Sequence, residues 1–464
     1  MSLLEPSQFA GQKIVILGLG RQGKALARFF ARAGARIVIS DVRSRADLAA
    51  DMAEIADLDV QFVLGGHPFS LLDGAALLCL SGGVPPTIPI VQEAQRRGIP
   101  LSNDTVLTLA LSPAPVLGIT GSAGKTTTTT LVGLMLQEGG ITAHVGGNIG
   151  TPLIDKLDRV QPADWLVLEL SSFQLELCRQ SPRVAAVLNV TPNHLDRHPS
   201  MEAYAEAKRN IFRYQQPGDV VVLGWDNAWT RGWWERAVPT GVRKLAFSLE
   251  EPVPEGAYLD GDVLRLRVAE REQVICRADD VRLRGRHNLA NILAAATLAA
   301  AVGVGVEAIA AVARTFTGVP HRLEIVREWK GALWVNDSIA TAPERVVAAL
   351  RSFEEPVILL AGGRDKKLPW EEFARAAARR ARRVIAFGEA APLVARVLAP
   401  YVGNGRGTLE AVEQVEDLEA AVRRAAAVVR PGEVVLLSPG GTSFDAYRNF
   451  EERGAHFRRL VAEL

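Results

Sequence analysis

Short apolar runs alternate with longer amphipathic stretches along most of the 464-residue chain. Apolar runs that end in glycine or a polar residue predict buried strands, and the amphipathic stretches between them predict helices. This alternation is typical of an α/β fold with parallel sheets. The predicted strands are Lys13–Gly20, Arg36–Ser40, Ala75–Leu80, Val116–Ile119, Trp165–Leu168, Val184–Val190, Ala332–Val335, Val357–Leu360, Val384–Phe387 and Val434–Leu437.

The first predicted strand ends in a glycine motif, Gly18-Leu-Gly20-Arg-Gln-Gly23, which begins a helix, and the next strand ends at Asp41. A GxGxxG motif followed about twenty residues later by an acidic residue indicates a nucleotide-binding βαβ unit. Asp41 would accept hydrogen bonds from a ribose or a base. The ligand could be a dinucleotide such as NAD or another nucleotide. A further glycine turn, Ser81-Gly82-Gly83, is expected at the same edge of the sheet.

A second glycine motif follows the strand Val116–Ile119. The turn Gly121-Ser-Ala-Gly124 precedes Lys125 and Thr126, and a long helical pattern begins there. Backbone N–H groups at such a helix N-terminus bind phosphate, a lysine reaches the β- and γ-phosphates, and a threonine hydroxyl can hold Mg²⁺. The common P-loop has a glycine where this chain has Ile119, so the motif is the shorter T-G-x-x-G-K-T-T. We predict an ATP site.

Two breaks in the pattern divide the chain into three predicted domains. The proline-containing segment Ser112–Pro115 reads as a linker, and Gly318–Glu324 reads as a hinge. Between them, residues 219–281 alternate apolar and polar positions and predict short strands. The predicted architecture is a Rossmann-like N-terminal domain over residues 1–112, a central P-loop ATPase-like domain with a parallel sheet over 113–318, and a Rossmann-like C-terminal domain over 319–464.

Polar residues in the central domain add candidates for chemistry. Glu169 ends a strand near the phosphate loop and suits a Mg²⁺ ligand. His194 lies in a strand-end loop with aspartate and asparagine, which suits metal or substrate contact. Lys208 lies on the apolar face of the predicted helix Met201–Phe212, where a lysine is costly unless it is paired or modified. Lysine is sparse, with nine among 53 basic residues, which draws attention to Lys208.

Asn288 and Asn291 are one helical turn apart at the start of a predicted helix. Both side-chain amides could contact an adenine or a ribose, or Asn288 could simply cap the helix. The apolar segment from Asn288 to Ala313 is interrupted by polar residues and predicts a buried helix pair rather than a membrane span.

Composition and charge exclude several classes of function. The net charge is +1 with no block of like charge, so we expect no nucleic-acid partner. Cys79, Cys178 and Cys276 are far apart and fit a reducing compartment. The first residues lack a signal-peptide pattern. We therefore expect a cytoplasmic protein without a membrane partner, and the domain plan favours an ATP-dependent joining enzyme. A monomer is expected, although no feature of the sequence fixes the oligomeric state.

The chain resembles the Mur ligase family over its whole length, and within it the branch that adds D-glutamate. The stretches that carry the resemblance are TGSAGKTTT, GGNIG, LELSSFQLE, NVTPNHLDRH, the lysine of AEAK, GRHNLANILAA, GVPHRLE, NDS-x-AT and LSPGGTSFDAYRNFEERGAHF. The resemblance implies ATP-dependent formation of an amide bond through an acyl phosphate, in cytoplasmic peptidoglycan precursor synthesis. The implied substrates are UDP-N-acetylmuramoyl-L-alanine and D-glutamate, and the implied cofactors are ATP, Mg²⁺ and a carbamylated Lys208.

The resemblance also assigns roles to individual residues. The implied catalytic residues are Lys125, His194 and Lys208. ATP would be bound by Gly121, Ser122, Ala123, Gly124, Lys125, Thr126, Thr127, Asn288, Asn291, Arg322 and Asp337. The UDP substrate would be bound by Gly18, Arg21, Gln22, Asp41, Ser81, Gly83, Asn148 and Ser171. D-glutamate would be bound by His194, Thr341, Lys366, Ser443, Phe444 and Phe450. Metal ligands would be Thr126, Glu169, His194 and Lys208.

Two positions depart from the family pattern. Ile339 stands where the family usually has lysine, which removes a positive charge near the co-substrate pocket, and Gly82 stands where the family usually has proline. Alternatives within the class are a sister ligase that adds another amino acid and a folate-polyglutamate ligase, and the C-terminal SFDAYRNFEERG stretch argues against both. An NAD-dependent oxidoreductase would leave the ATP motif unexplained. A non-catalytic nucleotide-binding protein would leave Lys125, Glu169, His194 and Lys208 unexplained.

Overall fold

The computed structural model describes residues 5–150, 152–193, 197–283, 285–366, 368–403 and 407–464. The chain forms two compact units, Met1–Phe316 and Thr317–Leu464. In the described part of the chain, no helix combines the length and apolarity that a bilayer crossing needs. Short 3-10 helices cover Pro6–Phe9, Phe69–Leu72, Leu153–Arg159, Ala278–Asp280 and Ala399–Tyr401.

The first unit begins with a parallel sheet of five strands in the order β3-β2-β1-β4-β5. Its first strand ends at Leu17 rather than at the predicted Gly20, because Gly18 turns the chain with a φ of +90°. The strands are β1 (Lys13–Leu17), β2 (Arg36–Asp41), β3 (Val60–Leu64), β4 (Ala75–Leu80) and β5 (Leu101–Ser102). The helices are α1 (Arg21–Arg32), α2 (Ala49–Ala53), α3 (Pro89–Arg96) and α4 (Asp104–Leu111).

A nine-stranded sheet follows in the same unit, in the order β14-β13-β12-β11-β10-β9-β6-β8-β7. The strands from β6 to β12 run parallel, and β13 and β14 are antiparallel to their neighbours. The strands are β6 (Val116–Thr120), β7 (Ala143–Gly147), β8 (Trp165–Glu169), β9 (Val184–Val187), β10 (Val220–Gly224), β11 (Arg243–Ser248), β12 (Gly256–Asp260), β13 (Val263–Val268) and β14 (Arg271–Arg277). The helices are α5 (Lys125–Glu138), α6 (Ser172–Glu176), α7 (Met201–Arg213), α8 (Ala228–Arg236), α9 (Arg286–Val302) and α10 (Val306–Thr315).

Residues 219–281 contain the predicted short strands, but they also contain α8, which the alternation concealed. Asn227 caps this helix by accepting hydrogen bonds from the N–H groups of Trp229 and Thr230. The glycine-rich stretch His144–Gly150 is a turn by its sequence, but its residues up to Gly147 form β7 beside β8. The predicted helix pair at the end of the unit is confirmed as α9 and α10.

The antiparallel strands at one end of the large sheet carry a layer of ion pairs. Arg267 donates to Glu272 at 2.7 Å, and Arg265 lies 3.4 Å from the same carboxylate. Tyr258 of β12 also donates to Glu272. β14 is the last strand at this end, and its first four residues, Arg271–Val274, are exposed.

The second unit contains a six-stranded sheet in the order β15-β16-β20-β17-β18-β19, parallel except for the pair β15–β16. The four strands predicted here are parallel, as expected, and their carboxyl ends share one edge. The strands are β15 (Glu324–Trp329), β16 (Ala332–Asn336), β17 (Val357–Gly362), β18 (Ala381–Phe387), β19 (Ala411–Gln414) and β20 (Val434–Gly440). The helices are α11 (Pro343–Leu350), α12 (Glu371–Arg380), α13 (Ala391–Leu398), α14 (Leu418–Val428) and α15 (Phe450–Ala462).

Candidate active site

The phosphate-loop motif lies where the sequence predicts it, between β6 and α5. Gly124 precedes the helix with a φ of +84°, in the left-handed region that favours glycine. A Cβ at this position would lie 2.2 Å from Oδ1 of Asn291, so α9 packs directly against the loop. Lys125 Nζ donates to the Gly121 carbonyl oxygen at 2.9 Å, which folds the lysine back over the loop.

Gly124→Ala is therefore expected to lower the free energy of unfolding for two reasons. A non-glycine residue in the left-handed region costs about 1–3 kcal/mol, and the new Cβ also displaces Asn291, so the total loss should exceed that cost. Urea denaturation would measure this loss. Gly98→Ala is the matched control, because Gly98 has a φ of +70° with open space around its added Cβ and so carries the backbone cost alone. Equal losses in the two variants would contradict the contact with Asn291.

Asn189, just after β9, holds the middle of the loop. Its Oδ1 accepts from the Ala123 N–H at 2.9 Å, and its backbone carbonyl accepts from the Ser122 N–H at 3.0 Å. The N–H groups of two predicted ATP-binding residues are thus satisfied within the protein. The N–H groups of Thr126 and Thr127 are candidate phosphate donors, because a helix leaves the N–H groups of its first turn without intrahelical partners. Thr126 and Thr127 belong to this turn.

Glu169 at the end of β8 is 2 % exposed, which rules out a solvated strand-end role. Its Oε2 accepts from the Thr126 hydroxyl at 2.7 Å, and its Oε1 accepts from the Asn148 side chain at 2.8 Å. The carboxylate therefore lies beside the helix start that carries the phosphate loop. Among the residues described, no group of three or more His, Cys, Asp or Glu side chains is arranged to hold a metal. His194 lies outside the described residues.

Lys208 lies on the inward face of α7, as predicted, and is 1 % exposed. Its Nζ donates to the Gly121 carbonyl at 3.0 Å, the same oxygen that Lys125 reaches, and it lies 4.6 Å from the centre of the Tyr204 ring. Burial, and then the charge of Lys125, lower the pKa of Lys208 well below its usual value, while Glu169 opposes the shift. Lys208 is thus shifted towards the neutral, nucleophilic amine.

Asn288 and Asn291 lie together on α9, as their spacing predicts. Asn291 Nδ2 donates to Asn288 Oδ1 at 3.1 Å. The capping alternative for Asn288 is wrong, because Gly285 is the N-cap and Asn288 lies inside the helix. Asn291 is the member of the pair that contacts the phosphate loop at Gly124.

The glycine motif of the first sheet also has its predicted shape. A Cβ at Gly23 would lie 2.0 Å from the Gly18 carbonyl oxygen, so only glycine allows α1 to approach the turn. Ser81 Oγ donates to the Gly18 carbonyl at 2.9 Å, which places the turn Ser81–Gly83 beside the motif. Arg21 donates to the Asn148 carbonyl at 3.3 Å. Asn148 therefore links two sets of predicted residues, because it also donates to Glu169.

Asp41 is buried and its carboxylate is fully engaged. It accepts from the Leu19 N–H at 2.9 Å and from both the backbone and the guanidinium of Arg43. Burial alone would raise the pKa of Asp41, but these hydrogen bonds lower it to about 2. A nucleotide that contacts Asp41 must therefore replace Arg43. A cavity of about 410 Å³ opens beside this strand end, lined by Val42, His67, Gly83, Val84, Pro85, Ile88, Pro89 and Ile90.

In the second unit, the predicted binding residues of the C-terminal domain lie at or just after the ends of the strands. Asp337 accepts from the Ser438 hydroxyl at 2.8 Å and from the Leu323 N–H at 3.3 Å. Burial raises the pKa of Asp337 to about 7, although these hydrogen bonds and the charge of Arg322 act to lower it. A carboxyl group with this pKa is partly protonated near neutrality, so it can donate as well as accept hydrogen bonds.

The predicted amino-acid pocket residues also lie on this unit. Lys366 Nζ donates to the Thr341 hydroxyl at 3.3 Å. Ser443 is buried, whereas Phe444 is 61 % exposed and Phe450 begins α15. Arg453 is fully buried and donates to both oxygens of Ser338 and to the Gly441 carbonyl. Its guanidinium thus fixes the strand-end turns that carry the pocket.

Arg345 brings positive charge to the position where Ile339 replaces the usual lysine. Its guanidinium donates to the Ile339 carbonyl at 3.3 Å, and its charge, after burial, lowers the pKa of Lys366. Arg345 and Asn189 are the site residues that sequence reasoning missed. Asn189 lies inside the predicted strand Val184–Val190, but β9 ends at Val187 and leaves Asn189 in the loop beside the phosphate-loop motif.

Three family models match the chain in succession. The Mur ligase MurD-like N-terminal domain matches residues 12–103, the Mur ligase middle domain matches 119–299, and the Mur ligase glutamate ligase domain matches 321–441. The chain belongs to the Mur ligase family. As a Mur ligase it is an ATP-dependent ligase, and its three α/β sheets correspond to the N-terminal, middle and C-terminal parts of that fold.

Full-length relatives support this assignment. The UDP-N-acetylmuramoylalanine–D-glutamate ligase of Symbiobacterium thermophilum is 41 % identical over 455 residues, which cover 98 % of each chain. The ligase of the same name from Acetivibrio thermocellus is 40 % identical over 454 residues, covering 98 % of this chain and 97 % of that one. The solved UDP-N-acetylmuramate-alanine ligase of Thermotoga maritima has the same fold, with a TM-score of 0.57, 19 % identity and coverage of 97 % and 100 %.

Proposed function

We propose that this Mur ligase joins D-glutamate to the L-alanyl carboxylate of UDP-N-acetylmuramoyl-L-alanine, with conversion of ATP to ADP and phosphate, in the cytoplasm and as a monomer. The observation that carries the proposal is the convergence of Lys125, Thr126, Glu169 and Lys208 on the start of α5. Two lysines share the Gly121 carbonyl, and a buried carboxylate bonds to the loop threonine. Relatives named for this reaction match the chain from end to end.

The oxygen donors beside the phosphate loop fit Mg²⁺. Thr126 supplies a hydroxyl and Glu169 a buried carboxylate, 2.7 Å apart. Magnesium prefers a small number of protein oxygens and completes its shell with phosphate oxygens and water, so the lack of a larger acidic cluster in the described residues does not conflict with it. When bound, Mg²⁺ supplies positive charge for the phosphates of ATP. His194 is proposed as a further ligand.

Lys208 fits a carbamylated lysine. Its amine is buried and its pKa is lowered, so the neutral form can attack CO₂. A bond forms between Nζ and the carbon of CO₂, and a proton leaves to solvent, which gives a carbamate anion. This anion would replace a buried amine by a group that can ligate metal, and the charge of Lys125 would stabilise it. Arginine could not replace the lysine in this chemistry.

The reaction would proceed in two steps. The substrate carboxylate attacks the γ-phosphorus of ATP and gives an acyl phosphate, and the D-glutamate amine then attacks the acyl carbon and expels phosphate. Lys125 and the N–H groups of the first turn of α5 would stabilise the negative charge that the transferring phosphoryl group carries. The residues proposed to contact the nucleotide are Asn288, Asn291, Arg322 and Asp337.

The remaining predicted residues would bind the other two substrates. The UDP group would occupy the edge of the first sheet, where the 410 Å³ cavity lies. The residues proposed for the UDP substrate are Gly18, Arg21, Gln22, Asp41, Ser81, Gly83, Asn148 and Ser171. Those proposed for D-glutamate are His194, Thr341, Lys366, Ser443, Phe444 and Phe450. The proposed domains are 1–112, 113–318 and 319–464, and the compact-unit boundary after Phe316 lies close to the second of these divisions.

Release of phosphate from ATP tests this proposal directly. The protein is mixed with ATP, Mg²⁺ and UDP-N-acetylmuramoyl-L-alanine, and D-glutamate is compared with L-glutamate, L-alanine, glycine and meso-diaminopimelate. We expect release that depends on both the UDP substrate and D-glutamate. Release with another amino acid would contradict the proposed co-substrate and would point to Ile339. Folded protein that releases no phosphate with any of them would contradict the ligase reaction.

A further inference from the structure

Asp104, a residue without a role so far, lies at the centre of a buried hydrogen-bond chain. It is 3 % exposed at the first position of α4. Its Oδ2 accepts from Gln22 Nε2 at 3.3 Å, and its Oδ1 accepts from Gln174 Nε2 at 3.4 Å. Gln22 lies in the glycine motif of the first sheet, and Gln174 lies on α6, just after Ser171. The carboxylate thus joins two separate parts of the proposed UDP-substrate site.

The side-chain carbonyl oxygen of each glutamine accepts hydrogen bonds from a neighbouring loop. Gln22 Oε1 accepts from the Gly82 N–H at 2.5 Å. Gln174 Oε1 accepts from the Ser171 N–H at 3.0 Å and from its hydroxyl at 2.9 Å. A continuous chain therefore runs from the turn Ser81–Gly83 through Asp104 to the cap of α6. A narrow cleft beside this chain is lined by Leu80, Ser81, Gly82, Val84, Pro86, Asn103, Phe173, Gln174 and Leu177.

The charge state of Asp104 decides how the two amides point. An ionised carboxylate only accepts hydrogen bonds, so both glutamines must turn their NH₂ groups toward it. Their carbonyl oxygens then necessarily face Gly82 and Ser171, which are donors. An amide or a protonated acid at position 104 would present a donor on one side. One glutamine would have to rotate, and its NH₂ group would then meet another donor at Gly82 or Ser171.

We propose that Asp104 is a positioning residue for the UDP substrate: its carboxylate orients Gln22 and Gln174 and thereby aligns the Ser81–Gly83 turn with the cap of α6. This inference rests on the proposed function, which places the UDP substrate at these two loops. Asp104 acts through the two glutamines and does not itself touch the substrate. Its effect should therefore appear in affinity for the UDP substrate and not in the affinity for ATP, whose site lies at Thr126 and Glu169.

Burial raises the pKa of Asp104 to about 6 against the hydrogen bonds from Gln174 and Gln22. The titratable groups that face it are the thiols of Cys79 on β4 and Cys178 after α6, and burial raises the pKa of both, so they remain protonated. Asp104 is thus the member of this cluster that changes charge near pH 6. Above that pH it is the anion that orients both amides, and below it the orientation is lost.

The sign of the linked stability effect follows from the same pKa. Because the folded-state pKa lies above the usual value for aspartate, keeping the carboxylate ionised costs stability above about pH 6, and this cost disappears below about pH 4. Replacing Asp104 by asparagine removes the buried charge. An aspartate that stabilises the fold through its charge would have a lowered pKa, and its replacement by asparagine would lower the stability of the protein above that pKa.

The test compares Asp104→Asn with the wild type and with Asp73→Asn, which removes an exposed aspartate of the same domain that pairs with Arg97. At pH 7.5 we expect Asp104→Asn to raise KM for the UDP substrate about tenfold, the equivalent of one or two lost hydrogen bonds, with KM for ATP within about twofold. Its Tm should change little, because loss of the buried charge offsets the donor–donor contact at Gly82 or Ser171. Asp73→Asn should leave all three quantities unchanged.

The pH profile gives a second readout. Wild-type kcat/KM for the UDP substrate should fall relative to that of Asp104→Asn as the pH drops through about 6, until the two converge. Gln22→Met removes one of the oriented amides, and its effect on KM should be less than additive with Asp104→Asn. If Asp104→Asn does not fold, Gln174→Met must raise the same KM by itself, since Gln174 is the oriented amide without a proposed contact to the substrate.

The outcomes separate this inference from the proposed function. A wild-type protein that neither binds the UDP substrate in calorimetry nor turns it over would overturn the proposed function. A wild type that binds it, with an unchanged KM in Asp104→Asn or in Gln174→Met, would overturn the positioning role alone. Equal increases in KM for ATP and for the UDP substrate, with a lowered Tm, would show a merely structural residue and would also overturn it.

Discussion

Replacing Lys125 by alanine is expected to lower kcat by at least about 100-fold, because preorganised charge at a reacting group typically contributes that much. Lys125 is the cation at the N-terminus of α5, and its Nζ already lies over the loop, 2.9 Å from the Gly121 carbonyl. The effect should fall on kcat more than on KM for ATP, since the added charge of the phosphoryl group develops in the transition state. Steady-state phosphate release would measure both constants.

Two controls isolate the charge of Lys125. Lys156→Ala removes an exposed lysine of the same unit and should leave turnover unchanged. Lys125→Arg keeps the charge on a larger, planar group and should recover only part of the loss, because the guanidinium cannot take the position of a compact ammonium beside Gly121. Near-normal turnover of a folded Lys125→Ala protein would refute the phosphate role.

Lys208→Ala is expected to lower turnover by roughly 100-fold or more, and added acetate or formate should restore part of it. The substitution removes the side chain that would carry the carbamate and leaves a buried space beside Gly121 and Tyr204. A short carboxylate can enter such a space and supply the missing anion. Turnover would be measured at increasing acetate concentration, with chloride at equal ionic strength as the reference.

Lys244→Ala is the matched control for Lys208, since Lys244 is exposed in the same unit and should show neither loss nor rescue. A readout independent of activity comes from carbon-13 NMR in labelled bicarbonate, where the wild type should show a carbamate signal that Lys208→Ala lacks. Absence of that signal in the wild type, together with no rescue of a folded Lys208→Ala protein, would count against carbamylation.

Much of the fold could be predicted because parallel strands are buried on both faces. Such strands appear in the sequence as uninterrupted apolar runs, for example Val116–Thr120 and Val357–Gly362, and glycine or polar residues mark their ends. The same physics predicted the site, since the carboxyl ends of parallel strands meet at one edge. Glu169 and the phosphate loop could therefore be placed together from the order of residues alone.

Other features depend on contacts between distant parts of the chain. Helix α8 is short and rich in tryptophan, so its apolar residues do not show a clear helical period against the strands around it. The role of Asn189 depends on where β9 ends relative to the phosphate loop. Asp104 looks like an ordinary residue at the start of a helix, and its burial between Gln22 and Gln174 appears only in three dimensions.

The charged outer strand β14 bears on how the protein behaves at high concentration. An uncovered strand at the end of a sheet offers free N–H and C=O groups to a strand of another molecule. Here that strand begins Arg271-Glu-Gln, and Glu272 is already held by Arg267 and Tyr258. A second copy that paired there would have to desolvate these ion pairs. We therefore expect the large sheet to resist intermolecular growth, and removal of Arg271 and Glu272 together should increase aggregation at high protein concentration.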